Sequence, residues 1–350
     1  MSVRIVACET QTPPHHRSTA EISPYLKMWL HDQEDRYVRK AVKIFEGAGI
    51  DTRYSIMSAE EVFQKTSFAE KNQVYAKGAI ELGTAVLQKA LAKANWKAQD
   101  VDYLITVSCT GIMIPSLDAY LINALSMRQD VYRLPVTEMG CVAGVSAIIY
   151  AHQFLSAHPG KKAAIVAYES PTSTYQLEDY SMTNIVSAAI FGDGAACTLM
   201  SSEPDSQGPK VVGGDMYHFY NATRMMGFDL TDNGLQMVLD QTVPDQISNH
   251  FSDIVHPFLE KYNSSIEQVD HLIFHPGGKK IVQTVEQLFG HLGKNINHTK
   301  EVLRQYGNMS SATVLYVLAK FLADQPTSGE QGLMLSFGPG FTAQRVLLEW

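Results

Sequence analysis

Apolar positions along this chain follow two rhythms that alternate from end to end. From Gly78 to Asn95 alanine and leucine return at helical spacing, which predicts a strong amphipathic helix. Short unbroken apolar runs predict buried strands at Asp102 to Ser108, Ala163 to Ala167, Ala195 to Met200, Leu272 to Phe274 and Gly332 to Ser336. Ser2 to Ala7 reads as a first strand. Helices alternating with buried strands argue for α/β layers. Residues 20–70 differ: they are charged and helical, carrying Lys27, Arg36, Arg39, Lys40, Lys43 and Arg53. That segment is a solvated face or a docking ridge for the phosphates of a carrier.

The pattern also repeats. Gly140-Cys141 opens an apolar run that reaches Phe154-Leu155, and about 167 residues later Gly307-Asn308 opens another that reaches Phe321-Leu322. Leu91 to Ile105 is echoed at nearly the same offset by Leu259 to Ile273, with Asn95 falling on Asn263 and Val101-Asp102 on Val269-Asp270. Two such echoes predict a duplicated fold, in which Cys141 and Asn308 start equivalent helices that face each other across one cavity. The expected architecture is five layers, αβαβα, with two helices held between two sheets. The polar stretch Ser201 to Pro209 is the best linker, placing the halves at 1–205 and 206–350.

Composition narrows the class. The chain has 350 residues, 45% hydrophobic and 18% charged, with a net charge of -8. Such a balance favours neither nucleic acid nor an anionic membrane as partner. No apolar run is read as the roughly 20 residues that span a bilayer. The four cysteines, Cys8, Cys109, Cys141 and Cys197, form no CxxC pair. Free thiols, a reducing cytoplasm and no metal site are therefore expected.

The candidate chemistry lies where strands and helices meet. A thiol at a helix start, as at Cys141, feels the macrodipole and the free N–H groups there, and a depressed thiol pKa is expected. His275 ends a predicted strand and runs into Pro276-Gly277-Gly278, so it should converge with the two helix starts. Asn308 has no basic function but can donate a hydrogen bond to an oxyanion. A thiol nucleophile, an imidazole and a donor amide suit a decarboxylative Claisen condensation: the thiol holds an acyl group, and loss of CO₂ from a second thioester generates the attacking enolate. A papain-like hydrolase uses the same residue types, but with its cysteine near the mature N-terminus and without a duplication.

The motifs Gly140-Cys141-Val142-Ala143-Gly144, Phe191-Gly192-Asp193-Gly194, His275-Pro276-Gly277-Gly278, Tyr306 to Ser311 and Phe337-Gly338-Pro339-Gly340 together resemble the type III polyketide synthases, the chalcone and stilbene synthase family. Ser108 to Ser116 and the ending Phe337 to Trp350 resemble bacterial members. The resemblance covers nearly the whole chain. It implies a thiolase-like fold, a homodimer, and iterative condensation of malonyl-CoA onto an acyl-CoA starter with no cofactor beyond the CoA thioesters. It implies Cys141 as the acyl-holding nucleophile, His275 and Asn308 as the decarboxylation and oxyanion pair, and Phe191 as a gatekeeper. Met237 stands where plant members carry a second gatekeeper phenylalanine. Cys109, Thr110, Thr174 and Ser310 match cavity positions. Lys40, Lys43, Gly277 and Gly278 match CoA contacts, and Gly47 occupies a third position that is basic in the family. The methionine gate and the Cys109 thiol suggest room for an aliphatic starter and a pyrone, resorcinol or phloroglucinol product. A β-ketoacyl-carrier-protein synthase III, making one condensation, and a catalytically silent dimeric relative are the alternatives.

Overall fold

A computed structural model describes residues 2–290, 292–294 and 296–350. In chain order its elements are β1 (Arg4–Gln11), β2 (His15–Ser18), α1 (Thr19–Trp29), α2 (Asp35–Gly47), β3 (Thr52–Ser55), α3 (Ala59–Val62), α4 (Phe68–Ala94), β4 (Tyr103–Val107), α5 (Leu117–Ala124), β5 (Tyr132–Val136), α6 (Ala143–Ala157), β6 (Lys162–Glu169), α7 (Met182–Ile190), β7 (Gly194–Ser201), β8 (Lys210–His218), β9 (Met226–Thr231), β10 (Gly234–Leu239), α8 (Val243–Lys261), β11 (Val269–Phe274), α9 (Lys279–Gly290), α10 (Asn297–Tyr306), α11 (Thr313–Asp324), β12 (Gln331–Gly338) and β13 (Thr342–Glu349). The predicted strands are all present. The long helix begins ten residues before Gly78, because Ser67 and Glu70 form a capping box that the periodicity alone did not reveal.

Nine strands run in the order β11-β12-β13-β8-β1-β7-β6-β4-β5. The seam between β1 and β8 holds one residue pair, Arg4 with Lys210, so two half-sheets meet there at a corner. Side chains along the strands alternate between two cores. On β6, Ala163, Ile165 and Ala167 face the helices α6 and α11, whereas Ala164, Val166 and Tyr168 face α4. On β12, Met334 joins the inner core, and Leu333 and Leu335 pack with Phe251, Ile254 and Phe258 of α8. The layers are therefore α4 and α5, the first half-sheet, α6 with α11, the second half-sheet, and α8 with α9. Strands covered on both faces explain why their runs are apolar at every position rather than at every second one.

The duplication is visible in the backbone. Asn95 and Asn263 both adopt the left-handed conformation, with φ of 55° and 54°. The following N–H groups reach back to Leu91 and Leu259 respectively, ending α4 and α8 in the same way. The central helices correspond less simply. Their last residues, Ala157 and Asp324, keep the offset of the sequence echo, but α6 has 15 residues and α11 has 12. A positive-φ residue opens the 3₁₀ turn before each: Gly140 in the first half and Ser310, not Gly307, in the second. Cys141 and Asn308 therefore stand one turn out of strict equivalence.

Gly140–Ala157 is 18 residues long and apolar enough to pass for a membrane span, which the sequence reading had not recognised. It is the inner-core stretch that ends in α6, packed against α11 and strands of both half-sheets. A Cβ at Gly144 would lie 2.3 Å from the Ser311 carbonyl oxygen, and no side-chain rotation relieves a clash with backbone. Gly144→Ala is expected to destabilise the protein by about 1–3 kcal/mol, as overpacked cores do, read as a lowered urea midpoint. An unchanged midpoint would mean that α6 and α11 separate freely.

Candidate active site

Cys141, His275 and Asn308 line one cavity. Cys141 sits in the 3₁₀ turn ahead of α6. Gly140 must be glycine on two grounds: its φ is +56°, and a Cβ there would lie 2.7 Å from the Pro339 ring. His275 leaves β11, its N–H still bonded to the Leu335 carbonyl, with the ring 98% buried. Neither ring nitrogen has a hydrogen-bond partner among the described residues.

Asn308 is held at every atom but one hydrogen. Its Oδ1 accepts from the Ser310 N–H at 2.8 Å and from Thr313 Oγ1 at 3.3 Å, and its Nδ2 donates to the Gly277 carbonyl at 3.0 Å. One Nδ2 hydrogen remains for the cavity. The main chain is pinned as well: Asn308 N–H donates to Ile190 O at 2.8 Å, and Gly192 N–H to Asn308 O at 3.1 Å, forming a bridge with Phe191.

Burial dominates the electrostatics. It pushes the Cys141 thiol up to about 12, against the hydrogen bonds from Ser310 and Asn308 that favour thiolate. The depressed thiol expected from a helix start is therefore not found. Burial likewise pushes the His275 imidazole down to about 3. The resting site therefore holds a neutral thiol and a neutral imidazole.

Cys109, Thr110, Phe191, Met237, Gly277 and Ser310 also line the cavity. Ser310 Oγ lies 3.3 Å from the Cys109 sulfur and 3.6 Å from that of Cys141. Thr174 does not line it: its hydroxyl donates to Pro171 O at 2.8 Å, closing its own 3₁₀ turn, and Pro171 takes the place at the wall. Gly278 lies outside the lining, with Ile190 as its nearest neighbour. Lys40 and Lys43 are exposed on α2. Beside them, Lys279 at the start of α9 donates to the Gly47 carbonyl at 3.0 Å. A cation from the other half of the chain thus stands where the sequence shows only Gly47.

Glu169 was missed. It is fully buried at the end of β6 and accepts from Thr110 Oγ1 at 2.8 Å, Cys109 N–H at 3.0 Å and the Ser311 hydroxyl. Burial raises its pKa. The available signal was a charge ending an otherwise apolar strand. His271, the other histidine of that segment, pairs with Glu330. Among the described residues no three His, Cys, Asp or Glu side chains gather as a metal site.

Residues 8–211 match the family model of FAE1/Type III polyketide synthase-like proteins, and residues 217–349 that of the C-terminal domain of chalcone and stilbene synthases. The chain is 30% identical to 1,3,6,8-tetrahydroxynaphthalene synthase of Streptomyces peucetius subsp. caesius, over 99% of this chain and 93% of that one. It is 29% identical to phloroglucinol synthase of Pseudomonas fluorescens, over 97% and 96%. The crystal structure of 1,3,6,8-tetrahydroxynaphthalene synthase from Streptomyces coelicolor A3(2) superposes with a TM-score of 0.93, covering 99% of both chains at 28% identity. Fold and matches together define an acyltransferase with a thiolase-like architecture. Within that class the chain belongs to the type III polyketide synthases.

If the imidazole receives the thiol proton, His275→Gln slows iodoacetamide alkylation of Cys141 at pH 7 by about 10²-fold, the scale of a lost general base. Mass spectrometry of the Cys141 peptide reads the rate. An unchanged rate would separate the two groups chemically.

Proposed function

We propose that the enzyme loads an aliphatic acyl-CoA onto Cys141, extends it iteratively with malonyl-CoA, and cyclises the chain to a pyrone, resorcinol or phloroglucinol ring. The sharing of one cavity by Cys141, His275 and Asn308 carries this reading. The Cys141 sulfur attacks the starter thioester, its proton goes to His275, and the CoA thiol leaves with that proton. Malonyl-CoA then loses its carboxylate as CO₂. The freed electron pair becomes an enolate, whose oxygen is met by the neutral imidazole N–H and the remaining Asn308 Nδ2 hydrogen. The enolate carbon attacks the acyl thioester, forming the C–C bond and releasing the Cys141 sulfur for another round. Only CoA thioesters are required.

Ile190, Met226, Met237, Leu239 and Ile281 form a flexible side of the wall, opposite in character to the rings of Phe191, Phe228 and Phe337, and we read that side as room for an aliphatic chain. Phe191 is the gate between the CoA channel and this cavity. Lys40, Lys43 and Lys279 are read as the grip on the CoA phosphates, with Gly277 and Gly278 along its arm. The free thiols Cys109 and Cys141 suit a reducing cytoplasm. We read 1–205 as the half that supplies the nucleophile and 206–350 as the half that supplies His275 and Asn308.

A second copy is the proposed partner. Ile114 is 94% exposed on the loop after β4, with Ile112 exposed beside it. That loop borders a crevice with Pro135 and Val136 of the edge strand β5, whose Tyr132 is also exposed. We read these exposed apolar side chains as the association face.

Incubation with malonyl-CoA and a panel of starters, followed by product masses, tests the function. Multiply extended products from aliphatic starters are expected. Acceptance of aromatic starters alone would refute the aliphatic assignment, and a single extension would assign the carrier-protein synthase reaction instead. Cys141→Ala should abolish polyketide formation while sparing malonyl-CoA decarboxylation, whereas Asn308→Ala should slow both by about 10²–10³-fold. Ile114→Asp should convert a dimer to a monomer in light scattering, and an unchanged mass would place the interface elsewhere.

A further inference from the structure

A second cavity lies behind the active-site wall. Thr172 and Ala188 line it, while Pro171 and Ile190, on the same two segments, line the first. Most of its surface is apolar, from Ile22, Phe45, Met57 and Val62. Its polar side is basic: His15, Arg17 and Arg53 contribute, and no acidic residue does.

Arg53 is the unusual member. It is 96% buried, and no carboxylate pairs with it among the described residues. Its Nη1 donates to the carbonyls of Ala188 and Ala189 at 3.2 and 2.9 Å, and its Nη2 to Thr19 Oγ1 at 3.0 Å. Its Nε is buried with no partner among the described residues. These bonds cap the end of α7, but they leave a whole positive charge inside the protein without a counter-ion. An uncompensated buried charge is costly, and a bound anion relieves it. The carboxylates of this region face the outer cations instead, Glu21 and Glu60 acting on Arg17 and Glu61 on His15, and none of them pairs with Arg53. Glu60 accepts the Tyr25 hydroxyl, and Glu61 accepts the Ser58 N–H at 2.7 Å.

We propose that this cavity binds an amphipathic monocarboxylate, with its carboxylate against Arg53 and Arg17 and its hydrocarbon body against Ile22, Phe45, Met57 and Val62. The site is separate from the acyl cavity and does not depend on the condensation chemistry.

Octanoate is the probe, titrated calorimetrically into the full-length protein. Arg17→Glu and Val62→Trp remove the outer cation and fill the apolar end, and thermal unfolding checks that each variant folds. Saturable binding is expected in the native protein, weaker by about tenfold in each variant, the scale of one charged hydrogen bond. Octanol, lacking the charge, should bind more weakly by a similar factor. Alkylation of Cys141 with iodoacetamide, which blocks the other cavity, should leave octanoate binding unchanged. Failure of the native protein to bind, equal affinity in both variants, equal affinity for octanol, or loss of binding on alkylation would each overturn the proposal.

Discussion

Everything in this protein is arranged around the close crossing of α6 and α11 between two half-sheets. Gly144 lies against the backbone of Ser311, so α6 approaches the turn that opens α11 nearer than any side chain would permit. That contact brings the Cys141 turn and the Ser310 turn together, and Ser310 then reaches both Cys109 and Cys141. The doubly covered strands follow from the same constraint. A helix pair apolar all round must be enclosed, and only sheets on both sides enclose it.

Enclosure sets the electrical character of the site. Water is largely excluded, so each ionisable group is pushed towards its neutral form. Cys141 and His275 move in opposite directions for this one reason. Where a buried acid is kept, it is surrounded by donors. Glu169 takes hydrogen bonds from both halves of the chain, through Thr110 and Ser311, and so ties the two turns together. Asp193 is held in the same manner by Ile56, Ser170 and Thr172. Donors converging on a carboxylate replace the solvation that burial removes.

Much of this was legible in the residues. The echo of Leu91 to Ile105 by Leu259 to Ile273 located real equivalents, down to the left-handed Asn95 and Asn263. The convergence of Cys141, His275 and Asn308 was legible because each stands at a strand or helix end, Cys141 and Asn308 directly after glycine and His275 ahead of Pro276-Gly277. The remainder depended on long-range placement. Pairing Cys141 with Asn308 missed the shorter α11, since the echo followed the ends of the helices and not their starts. The thiol expectation weighed the helix dipole and had no measure of burial, which is the larger effect. Thr174 matched a motif, but its hydroxyl was claimed by a carbonyl three residues back. Lys279 reaching Gly47 joins positions 232 residues apart and leaves no local trace.

The bridge between Phe191 and Asn308 joins the main chains of two motifs from different halves of the chain. A change in the main chain at either position is therefore passed to the other motif, although the two are far apart in the chain.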